Sequence, residues 1–201
     1  MNRTAIDGFL GRFQKWMVLL PIVAFVLMML SIWSMSEENT VVLWVTWGWG
    51  LLVSLVMLYV FWCLASDAKK NSLSSAYWLN WWLWLSVISF VDDIVGAFVS
   101  SEDLGNFLEV ALPAILVFAI FGLIAIFAIP SKLKQDGFLS LRKLFVEYII
   151  VCVVIGTIVG ILMGAGIIPE DLESPIDSFV GACYAYKFFR RRNDLKEIET
   201  R

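Results

Sequence analysis

The chain has 201 residues, 60% of them hydrophobic and 16% charged, with a net charge of −3 and a mean hydropathy of +0.82. A soluble domain lies nearer half apolar, with about a quarter of its residues charged, so composition excludes an ordinary water-soluble domain, and no direct nucleic-acid partner is expected. Histidine is absent, which removes Ser-His and Cys-His nucleophile pairs, HExxH zinc sites and histidine-ligated haem.

Apolar stretches recur at the length a helix needs to cross about 30 Å of hydrocarbon. They predict an all-α fold, a polytopic helical membrane bundle forming a single transmembrane domain over residues 1–201. Arg3, Arg12 and Lys15 precede WMVLLPIVAFVLMMLSIW. That run is longer than the apolar core of a signal peptide and no small-x-small site follows it, so it is expected to stay as the first span, residues 16–34. Further spans are predicted at 41–65, 76–99, 110–129 and 144–168. A sixth, over 172–189, reaches only about 27 Å at 1.5 Å per residue and needs Lys187 to snorkel. Residues 190–201 are a short charged tail.

Charge distribution favours six spans over the five-span alternative. With both termini cytoplasmic, all 15 Lys and Arg fall on the inner side, and the only charged residues of the outer turns SEEN, SSEDLGN and PEDLESP are acids. Five spans would put Arg190, Arg191 and Arg192 outside, against the positive-inside bias. The inner basic face then comprises Lys69, Lys70, Lys132, Lys134, Arg142, Lys143, Arg190, Arg191 and Arg192. These residues fix orientation, and they offer a surface to a cytosolic protein or to anionic lipid headgroups. The outer turns, near residues 38, 103 and 171, recur at nearly equal intervals. Any run of tightly connected spans gives that spacing, and no side-chain pattern accompanies it.

All 10 tryptophans lie at or before Trp84, mostly near span ends, as an interfacial belt requires. Cys63, Cys152 and Cys183 are isolated and read as small buried hydrophobes. In the fifth span Gly156, Gly160 and Gly164 repeat every fourth residue, and Gly181 with Ala185 forms a shorter row in the sixth. Such rows let helix backbones approach, and the expectation is packing within the chain or between copies of it.

The third span contains SVISFVDDIVGAF. At 100° per residue, Asp93 heads a stripe of Ser86, Ser89, Gly96, Ala97 and Ser100, while Asp92 points elsewhere. No Lys or Arg lies at comparable depth, so these acids need protonation, hydroxyl or water partners, or a cation. Asp93, Asp92, Ser86 and Ser89 are thus a candidate proton or cation site. The alternative is an interfacial placement, with the helix stopping as early as Val91. No catalytic residues, metal site or cofactor is expected. The residues favour a non-enzymatic scaffold, sensor or partner-binding subunit, as in envelope sensing, toxin immunity or phage defence, with a small proton or cation carrier as the alternative. The tryptophan-rich start and basic tail resemble those of small bacterial inner-membrane proteins, which implies that location and no particular function.

Overall fold

The computed structural model describes residues 16–34, 40–98, 101–169 and 173–191. The described residues are all-α and form six helices: α1 (Leu19–Ser34), α2 (Thr40–Lys70), α3 (Ala76–Phe98), α4 (Ser101–Gln135), α5 (Leu139–Gly164) and α6 (Glu173–Arg191). Among the described residues there is no strand. Two helical stretches, Trp44–Lys70 and Leu139–Gly164, are long and apolar enough to cross a membrane, and Leu19–Trp33 is apolar but shorter. Length and composition therefore support two crossings among the described residues. The 19 residues of α6 include Asp177, Lys187, Arg190 and Arg191, too many charges for length and composition alone to mark a crossing.

Helix ends depart from the expected spans in a consistent way. α4 runs for 35 residues, well past the apolar stretch 110–129, and takes most of SSEDLGN into its first turns. α3 continues unbroken to Phe98, so the helix does not stop at Val91. α5 begins at Leu139, ahead of the apolar run, because the preceding turn is closed by backbone hydrogen bonds rather than by hydropathy. In that turn Phe138 N–H donates to Leu133 C=O (2.9 Å) and Gly137 N–H to Lys134 C=O (3.2 Å), with Gly137 at φ +86°. This pair of bonds is a Schellman cap, and its usual apolar contact is supplied by buried Phe138 and Leu133. α2 ends the same way, through Leu73 N–H to Ala68 C=O (3.0 Å) and Ser72 N–H to Lys69 C=O (3.1 Å). There a serine takes the left-handed position, at φ +51°. α5 repeats the arrangement with Gly166 at φ +67°.

The chain divides into two compact units. The first contains α1, α2 as far as Met57, α5 from Tyr148, and α6. α6 packs on α1, with Phe25 and Phe179 rings 5.7 Å apart. The side of α6 bearing Ala182, Ala185 and Phe188 is fully buried, and Tyr148 meets Tyr184 at 5.0 Å and Phe188 at 5.7 Å. Ser31 Oγ and Thr46 Oγ1 lie 3.0 Å apart and join α1 to α2. Each also lies within reach of a carbonyl one turn back, Leu27 and Val42. A hydroxyl has one proton, so one of the two gives up its own carbonyl to bond across the helices.

The second unit contains α2 from Leu58, then α3, α4, and α5 as far as Glu147. α3 packs on α4, with Trp81 stacked on Phe121 at 4.7 Å and 4°, and Leu85 Cδ1 is 3.5 Å from where a Cβ of Gly122 would stand. Trp82 sits between Phe61 (6.3 Å) and Phe145 (5.3 Å). Two of the tryptophans expected in an interfacial belt are thus packed against phenylalanines. The core around them is Val60, Phe61, Leu64, Leu79, Ile129, Leu133, Leu141 and Phe145.

Candidate functional site

The basic residues are organised most clearly in the second unit. α2 closes on Lys69 and Lys70, and α4 closes with Lys132 and Lys134 in its last turn, where the helix dipole favours cations. Arg142 and Lys143 follow, exposed, at the start of α5. The two turns carrying these cations are tied together by one carboxylate. Asp136 accepts from Ser74 N–H (3.1 Å) and Ser74 O–H (2.7 Å) through one oxygen, and from Ser75 N–H (2.9 Å) through the other. An anion therefore sits on the N-terminus of α3, satisfying donors that no helical carbonyl reaches.

Partial burial pushes the Asp136 carboxyl upward, but the Ser75 and Ser74 donors more than offset this and hold it below its ordinary value of 3.8. It stays ionised among the cations, so Asp136 lowers local positive charge while fixing the turns that carry it. Lys132 Nζ bonds Gln135 Oε1 at 3.0 Å, and Lys70 lies 3.8 Å from buried Asp67. Nothing in the sequence pattern singled out Asp136. Its signal is the D-G pair after a helical run, which marks a cap and not a tertiary partner.

In the first unit, Arg190 and Arg191 occupy the last turn of α6, and Lys187 Nζ stands 4.6 Å from the Tyr184 ring centroid, a cation–π distance. Arg192 lies outside the described residues.

The two small-residue rows occupy opposite environments. Gly156, Gly160 and Gly164 are exposed, and a Cβ on any of them would meet nothing within 4 Å. Large apolar residues on the same helix, Ile158 and Ile161, are 52% and 65% exposed. Gly181 is the close-packed glycine: a Cβ there would come within 3.1 Å of Val53 Cγ1 of α2, and Ala185 beside it is fully buried. Packing within the chain therefore falls on the shorter row.

Asp92 and Asp93 lie within α3, and their side chains are outside the described residues. Of their expected companions, Ser86 donates to Trp82 C=O one turn back at 3.0 Å, and Ser89 is exposed. Cys63 is buried, Cys183 is half-buried and Cys152 is exposed, so the expectation of buried thiols fails for Cys152, which lies on the open face of α5. No protein-family model, curated protein or solved structure matches the chain.

Proposed function

We infer that the chain is a non-enzymatic, multi-pass membrane protein acting as a scaffold, sensor or partner-binding subunit. Its six helices cross a bacterial inner membrane with both termini cytoplasmic. The observation that carries this reading is the contrast between two surfaces of the second unit. On α4, Leu116, Ile120, Leu123 and Phe127 form a stripe in which every residue is more than half exposed. Apolar exposure on that scale suits lipid or a partner and not water. At the end of the same helix, six cations surround turns held by Asp136, where the positive-inside bias puts cytoplasmic turns.

A rigid, charged surface fixed by backbone-level bonds suits recognition of a cytosolic protein. The open glycine row of α5 suits association with a second copy, since close backbone approach drives helix pairing in lipid. The absence of histidine weighs against acyl-transfer and zinc chemistry.

A photo-crosslinking amino acid at Lys134 or Leu139, both exposed, tests the partner surface in living cells. A discrete adduct heavier than the 22.8 kDa chain, lost when Lys132, Arg142 and Lys143 are changed to glutamine, is expected. No adduct at either position would refute a protein-binding role for this face.

A further inference from the structure

An open apolar groove of about 350 Å³ lies in the second unit, lined by Leu58, Tyr59 and Trp62 of α2 and Leu83, Trp84 and Val87 of α3. Trp62 and Trp84 are 55% and 56% exposed, so both indoles stand at its rim. Helical periodicity continues each lining toward the turn at 71–75. On α2, Leu58, Tyr59, Trp62, Ser66, Lys69 and Lys70 share one sector about 120° wide at 3.6 residues per turn. On α3, Tyr77, Asn80, Leu83, Trp84 and Val87 share a sector of about the same width. Lys69, Lys70, Tyr77 and Asn80 are all exposed.

The depths agree as well. Trp62 lies about 12 Å along its helix from Lys70, and Trp84 about 12 Å from Ala76, at 1.5 Å per residue. One leaflet contributes about 15 Å of the hydrocarbon thickness. The feature is thus an apolar slot at acyl-chain depth, opening onto two lysines, a tyrosine and an amide at headgroup depth. Asp67 is buried, falls outside the α2 sector and lies 3.8 Å from Lys70 Nζ, so it offsets part of that charge, and two lysines against one carboxylate leave this end of α2 net positive.

We propose that this groove is a specific site for an anionic phospholipid, one acyl chain lying between Trp62 and Trp84 and the phosphate held by Lys69 and Lys70. Charge complementarity selects this occupant: the exposed Lys69 and Lys70 suit a phosphate, and the wholly apolar lining suits an acyl chain. The proposal rests on the reading that the 71–75 turn lies at the inner headgroup level.

The test uses the full chain in nanodiscs and quenching of tryptophan fluorescence by brominated acyl chains. The signal assigned to the site is the difference between the native chain and the double variant Trp62→Phe, Trp84→Phe. Brominated phosphatidylglycerol is expected to quench that signal at a lower mole fraction than phosphatidylcholine with identical chains. Lys69→Gln and Lys70→Gln should each reduce the preference about fivefold, which corresponds to ~1 kcal/mol per charge beside an anionic surface. Equal quenching by the two lipids, or a preference untouched by both lysine variants, overturns the proposal. Loss of the preference on adding soluble glycerol phosphate would show a phosphate site without a chain subsite and overturns it also. Absence of quenching by either lipid, with Trp62→Ala lowering the oligomeric state on size exclusion, would assign the groove to a second copy instead. Cysteine labelling at Gln135 in intact cells separates the causes: the expected inner location with no lipid preference in nanodiscs defeats the groove alone, and an outer location defeats the topology beneath it.

Discussion

Removing the Asp136 carboxylate would leave the N–H groups of Ser74 and Ser75 without their acceptor, and Ser75 is fully buried. Asp136→Ala should cost about 1–2 kcal/mol, the range for losing a helix N-cap, seen as a lower Tm in detergent. The pH dependence follows from the lowered pKa. Folding favours the ionised carboxylate, so its contribution is complete above the ordinary value of 3.8 and is lost as pH falls through the lower folded value. The Tm gap between the native chain and Asp136→Ala should therefore begin to narrow as pH falls below 3.8 and keep narrowing with further acidification, and a gap that does not depend on pH would mean the bonds are not to the ionised form. Gly137→Ala meets no atom within 4 Å, so its cost is backbone strain alone, about 1–2 kcal/mol for a left-handed non-glycine residue. Ser72 already bears that strain, and Ser72→Gly should raise Tm slightly. At Asp93 the scaffold reading expects Asp93→Asn and Asp92→Asn to be silent in proton or cation flux into liposomes. Flux by the native chain that Asp93→Asn abolishes would instead favour the carrier alternative.

The two glycine rows show which part of element packing a sequence can carry. The four-residue spacing of Gly156, Gly160 and Gly164 is visible in the sequence, and so is the shorter Gly181–Ala185 row. Which of them touches a neighbour depends on where other helices lie, and the shorter row proves to be the packed one. Gly181→Leu should overpack against Val53 and cost about 1–3 kcal/mol, lowering Tm in detergent. Gly160→Leu should leave Tm unchanged and reduce any dimer or larger species on size exclusion. The reverse pattern would mean that α5 has an intramolecular partner. Helix ends were harder to read than helix existence, because hydropathy reports the hydrocarbon-facing middle while capping bonds set the ends. The caps also correct the expectation that no side-chain pattern accompanies the even spacing of the turns. Asp136-Gly137-Phe138-Leu139 repeats Asp7-Gly8-Phe9-Leu10, and Asn71-Ser72-Leu73-Ser74 stands between them at nearly even spacing. Residues 7–10 lie outside the described residues, so the likeness there is one of sequence alone.

For the whole molecule, the all-α fold and the gathering of cations at helix ends were legible, because apolar content and the 15 Lys and Arg are properties of the chain itself. The Asp136 bridge and the Trp62–Trp84 groove were not, since each joins residues from separate helices and no local pattern announces the meeting. The central claim is orientation: α5 crosses the membrane with its Gln135 side cytoplasmic, and α6 returns the chain inside. Single cysteines at Gln135, Pro169 and Asn193, on a background lacking Cys63, Cys152 and Cys183, test it in intact cells with an impermeant maleimide. The account predicts labelling from outside at Pro169 alone, with Gln135 and Asn193 reacting only after permeabilisation. Outside labelling at Asn193 would remove the sixth crossing, and outside labelling at Gln135 would contradict the orientation itself.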